Sequence, residues 1–93
     1  MTSIRIAVLD AAREAVTGRP ASYGEPENSF GRVALVWDAI FPERRWTASD
    51  VALALAALKL VRLSFHIEHR DSAVDPAGYA ACLAECATRE SAL

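Results

Sequence analysis

Lys59, Arg62 and His66 stand at i, i+3 and i+7 within and just beyond a strongly apolar stretch. On a helix that spacing gathers all three on one face. A cation on such a helix needs a carboxylate from a neighbouring element or a bound phosphate, because an unpaired buried charge is costly. Alternatively the long stems cover apolar surface while the charges reach water. The acids that could meet this stripe are Glu25, Glu27, Asp38, Asp71 and Asp75. Asp71 and Asp75 are four residues apart, so on a helix they would project together and could hold one divalent cation. Mg²⁺ takes a few carboxylates together with water and substrate phosphates. The competing role for either aspartate is an ordinary helix cap.

Other chemistry is weaker in the sequence. His66-Ile67-Glu68-His69 has two histidines and an acid but lacks the further ligands of a zinc motif, so solvent-facing histidines are expected. Trp46 beside Arg44 and Arg45 could stack on a base, yet one aromatic and two arginines are too few for a platform. A tryptophan closing the bundle is expected instead. Cys82 and Cys86 share a helix face at i, i+4, which suits two buried thiols better than a disulfide framework. Glycine-rich phosphate loops, Gly-x-Ser-x-Gly elbows and Cys-x-x-Cys pairs are absent from the sequence.

Four helices must position these groups. The first is expected over Ser3 to Thr17, stopped by Gly18 and Pro20. Gly18 to Ser29 reads as a long polar connection with Tyr23-Gly24 at its centre, the kind of loop that often carries function. The second helix starts near Glu27 or Asn28, repeats Phe30, Val33, Ala34, Trp37 and Ile40, and ends at Pro42. Thr47 or Ser49 caps the third, with Asp50 in its first turn. Val51 to Leu58 is apolar all round, which predicts the central and most buried helix. The fourth lies between Ser72 and about Glu90, starting either there or at Pro76 behind an Asp75 cap.

Ninety-three residues make one domain with a modest core, and nineteen of them are alanine. Such helices pack closely and gain stability from a partner subunit. A net charge of −2 disfavours an electrostatic nucleic-acid binder. The longest apolar run is too short to cross a bilayer, and no signal-peptide pattern opens the chain. The expectation is an all-α domain over residues 1–93, a bundle of about four helices completed by dimerisation, acting in the cytoplasm without membrane or nucleic acid.

Three segments carry a family resemblance. Tyr23-Gly24-Glu25-Pro26-Glu27-Asn28-Ser29-Phe30 followed by Trp37 resembles a loop and helix found in small phage and prophage proteins. Asp50-Val51-Ala52 through Leu58-Lys59-Leu60-Val61-Arg62-Leu63 resembles their central helix. His69-Arg70-Asp71-Ser72, Val74-Asp75 and Gly78-Tyr79-Ala80 resemble their closing signature. Those proteins are distantly similar to the all-α MazG-like enzymes, which use Mg²⁺ to split a nucleoside triphosphate into monophosphate and pyrophosphate. The resemblance implies Lys59, Asp71 and Asp75 as catalytic residues. It implies Glu27, Asp71 and Asp75 as Mg²⁺ ligands, and Tyr23, Asn28, Lys59 and Arg62 as nucleotide contacts. The pattern is incomplete: Ser72 stands where MazG-like enzymes have glutamate, and their first acidic helix pattern is missing. The alternative is a non-catalytic nucleotide-binding or protein-interaction module of the same fold.

Overall fold

The capping residues decide where the helices begin. Gly24 adopts a left-handed φ of 78°, a conformation glycine enters without steric cost. Glu25 is extended and Pro26 occupies the first helical turn, where its missing N–H costs nothing. At the next helix the Thr47 hydroxyl accepts the Asp50 N–H at 3.2 Å, and the Asp50 carboxylate accepts the Thr47 N–H at 2.9 Å. This reciprocal box satisfies two donors that the first turn would otherwise leave open.

The computed structural model describes residues 3–68 and 70–91, with the side chains of residues 19–23, 70 and 71 outside that description. The elements are α1 (Ile4–Tyr23), α2 (Pro26–Ile40), α3 (Ala48–Ser64), a 3₁₀ turn (Arg70–Ala73) and α4 (Val74–Ser91). Among the described residues every regular element is helical, so the chain is an all-α bundle.

α3 and α4 lie antiparallel. Ser49 Oγ and N–H both bond the Glu90 carboxylate at one end, and Lys59 meets Asp75 at the other. α2 crosses this pair. Glu27 at its start faces Arg89, the Phe30 ring lies 6.2 Å from that of Tyr79, and Asp38 near its end accepts the Trp46 N–H. α1 rests mainly on α4, with Val16 close to Gly78. The core where α2, α3 and α4 meet consists of Phe30, Ala34, Ala48, Val51, Ala52, Cys82 and Cys86. Trp46 seals one end, edge-on to Trp37 at 5.5 Å, with its indole N–H on the Phe41 carbonyl and Arg44 over its ring. That is the closing role expected of it.

Several expectations change. α1 runs through Gly18 and Pro20 to Tyr23, so the long loop reduces to Gly24 and Glu25. Late in a helix a proline removes one backbone bond, and the turns already formed carry the helix past it. Tyr23 therefore ends a helix, and its side chain lies outside the described residues. α3 stops at Ser64, and His66 sits in the following turn with its N–H on the Leu63 carbonyl. The three-residue cationic stripe thus shrinks to Lys59 and Arg62. α4 starts at Val74, so Pro76 falls in its first turn, where helix N–H groups have no intrahelical partner. Asp71 stands in the 3₁₀ turn, so it does not share one α-helical face with Asp75. Finally, α3 is central but only half covered: Val51 and Ala52 are fully buried, while Leu53, Leu60 and Val61 are exposed.

Candidate functional site

Lys59 and Asp75 are brought together by the antiparallel packing of α3 and α4. Lys59 Nζ lies 3.1 Å from Asp75 Oδ2, with the lysine three-quarters covered and the aspartate about half exposed. Arg62 follows one turn later on α3 and is exposed. The 3₁₀ turn that contains Asp71 packs against α3, α4 and α1, which brings that backbone to the same corner. The side chain of Asp71 lies outside the described residues.

Asp75 also faces the other way. It lines an open cleft between α1 and α4 of about 70 Å³, together with Val16, Val74, Gly78 and Tyr79. That volume is well below the roughly 300–1,000 Å³ of small-ligand sites, so the cleft could take only part of a ligand. Gly78 forms part of the wall, and a Cβ there would stand 3.7 Å from Val16 Cγ1, an ordinary contact that the packing of α1 on α4 would accept. Corner and cleft together combine a cation, a carboxylate that an incoming anion could displace, and an apolar wall with an aromatic edge. An ion pair this exposed contributes about 0–1 kcal/mol at most, so a polyphosphate could take Lys59 from Asp75 at small cost.

Glu27 is elsewhere. Its Oε1 lies 4.0 Å from Arg89, and Arg89 comes fourteen residues after Asp75 on α4, about 21 Å along the helix axis. Its Oε2 is buried without a hydrogen-bond partner. The carboxylate faces the thiol of Cys86 and, after burial and Glu90, helps to push that thiol up to about 11. Glu27 and Asp75 therefore cannot share one ion whose ligands lie at about 2.1 Å. Among the described residues, no three of His, Cys, Asp and Glu converge as a cation site requires. The described residues do not fit the Mg²⁺ set that the resemblance implied.

The remaining candidates are dispersed. Asn28 is exposed in the first turn of α2, at the Glu27 end of the molecule. Asp38 is structural, accepting the Trp46 N–H at 2.7 Å. Cys82 and Cys86 are buried thiols not joined in a disulfide, as their spacing predicted. The sequence reading missed Val16 and Tyr79 as walls of a cleft. No spacing in the sequence joins them, because they stand on separate helices and meet only through the packing of α1 on α4.

Residues 7–87 match a domain family described as a domain of unknown function, DUF6378. The chain is 34% identical over 79 residues to the Gene 55 protein of Mycobacterium phage L5, covering 84% of this chain and 51% of that one. It is also 34% identical over 77 residues to the Gene 55 protein of Mycobacterium phage D29, covering 82% and 50%. The chain thus spans about half the length of these relatives. No solved structure matches it. Among the described residues no helix is long and apolar enough to cross a membrane.

Proposed function

We propose, from the premise that this chain belongs to the DUF6378 family, that it binds a nucleoside polyphosphate at the corner of α3 and α4 without hydrolysing it. The observation that carries this reading is the position of Asp75, which pairs with Lys59 on one side and lines the cleft between α1 and α4 on the other. Phosphates would occupy Lys59 and Arg62, displacing Asp75 from its partner. The sugar and base would lie along Val16, Val74 and Tyr79. The cation favours the phosphate chain through charge, and the cleft adds apolar contact, which is the usual division of labour in a small-ligand site.

The MazG-like pyrophosphohydrolase is the more demanding reading of the same corner. It requires carboxylates gathered around Mg²⁺, and with Glu27 at the far end of α4 the described residues supply Asp75 alone. That donor set is the ground for preferring binding to turnover.

Thermal-shift and pyrophosphate-release measurements against the common ribo- and deoxyribonucleoside triphosphates, with Mg²⁺, with Mn²⁺ and with EDTA, test the proposal. The expected result is stabilisation by a triphosphate in all three conditions and no release of pyrophosphate. Lys59→Met should abolish the nucleotide-induced shift while changing the intrinsic stability by less than about 1 kcal/mol. Metal-dependent pyrophosphate release that disappears in Asp75→Asn would replace binding with hydrolysis. Indifference to every nucleotide would sink both readings and leave Lys59–Asp75 as a structural pair.

A further inference from the structure

We infer that the exposed face of α3 is a self-association surface and that a second copy of this chain covers it. The face is read directly from helical spacing. Leu53, Ala57, Leu60 and Ser64 recur at i, i+4, i+7 and i+11, and Ala54 and Val61 flank them; all six are exposed. Leu53 is 57% exposed, Leu60 55% and Val61 59%. Lys59 turns to Asp75 and Arg62 projects from another side; Asp50 lies one turn before Leu53 on the same side, at the helix start, where Arg44 and the Thr47 N–H hold it. An uncharged apolar stripe three turns long is unusual on a surface that nothing covers.

Three observations favour a second copy over another occupant. The first is area. The accessible surface is 6704 Å², against about 5,200 Å² for a compact chain of 10.0 kDa. The excess of roughly 1,500 Å² belongs to the whole elongated molecule, and it is large enough to include the ~800 Å² that each partner contributes to a standard interface. The second is charge. In a two-fold interface each patch meets itself, so any charge near the axis would face its own sign. This stripe has none, and it offers nothing for an acidic or basic partner to recognise. The third is shape. Ala57, with a leucine on either side, leaves room at the centre of the stripe. An antiparallel α3–α3 crossing about Ala57 sets Leu53 of each copy against Val61 of the other and Leu60 against Ala54, so that large side chains meet smaller ones across the seam. The inference is independent of nucleotide binding, because Lys59 and the cleft lie off this face.

The native mass measured by light scattering across micromolar concentrations is the test. A dimer of twice 10.0 kDa is expected. Leu60→Glu should raise the dissociation constant about a hundredfold or more while leaving the helical circular dichroism unchanged. Leu35→Glu, on the exposed side of α2, should leave the dimer intact. As a second readout, Ala57→Cys should form an intermolecular disulfide under mild oxidation, and Ala81→Cys on α4 should not. A dimer that survives Leu60→Glu or dissociates in Leu35→Glu, or the absence of a cross-link at position 57, would overturn the assignment. A monomeric wild-type chain would do so as well, and would leave the stripe to the additional chain that the longer relatives carry.

Discussion

Cys86 is fully buried, and its neighbours Glu90, Glu27 and Glu85 are acids. Burial, reinforced by those charges, raises its thiol from 9.0 to about 11. The folded state therefore prefers the neutral thiol more strongly than the unfolded chain does. The resulting stability is fully present below pH 9 and is lost as the pH rises through about 11. The urea midpoint should fall across that window by an amount on the order of 2–3 kcal/mol in free energy. In Cys86→Ala the fall should be shallower, although the variant starts from lower stability. A pH slope unchanged by the substitution would show that other groups cause the loss. At this scale the sequence was partly legible. Lys59 announced itself as a cation on an apolar helix, and the two cysteines as buried thiols. The acid that answers Lys59 was not legible in the same way. Glu27 and Asp75 are equivalent carboxylates in a one-dimensional reading, and only the crossing of α2 over α4 sends one to Arg89 and the other to Lys59.

At the scale of elements, α3 depends on its first turn. Thr47 and Asp50 satisfy each other's backbone N–H groups, and Arg44 reaches the same Asp50 oxygen at 3.0 Å. Replacing Thr47 by alanine removes the cap acceptor for the Asp50 N–H and should cost about 1 kcal/mol. Chemical denaturation reads this directly, and a loss below ~0.3 kcal/mol would mean that Asp50 and Arg44 hold the turn without Thr47. This box was visible in the sequence because capping is local and needs four residues. The helix ends that were misread depend on more than local preference. Gly18 and Pro20 are poor helix residues, yet α1 continues through them for one further turn. His66 looked like the next rung of the Lys59–Arg62 stripe, but the chain leaves helical geometry at Phe65, whose N–H bonds the Arg62 carbonyl at 3.2 Å. Spacing arguments hold only within an element, so an error in its boundary removes a residue from the site.

For the whole molecule, the question is whether the core suffices. Nine buried hydrophobic residues are found among those described, of which five are alanine and two cysteine. The chain extends 48 × 28 × 23 Å with a radius of gyration of 14.4 Å, against about 12 Å for a compact chain of this length. The all-round apolar character of α3 was legible in the sequence. Its incomplete burial was not, because composition gives the apolar surface available and says nothing of which face the other helices cover. If a second copy completes the core, stability becomes a property of concentration, since association stabilises the folded state by mass action. Each tenfold rise in protein concentration then adds about 1.4 kcal/mol per dimer. Spread over the unfolding entropy of two chains, that corresponds to a rise of about 3–4 °C in the melting temperature. Calorimetry from about 5 to about 500 μM should show the rise in the wild-type chain. Leu60→Glu should melt lower and at one temperature throughout, because it has no partner to lose. A wild-type melting temperature independent of concentration would mean that the small alanine-rich core is sufficient alone.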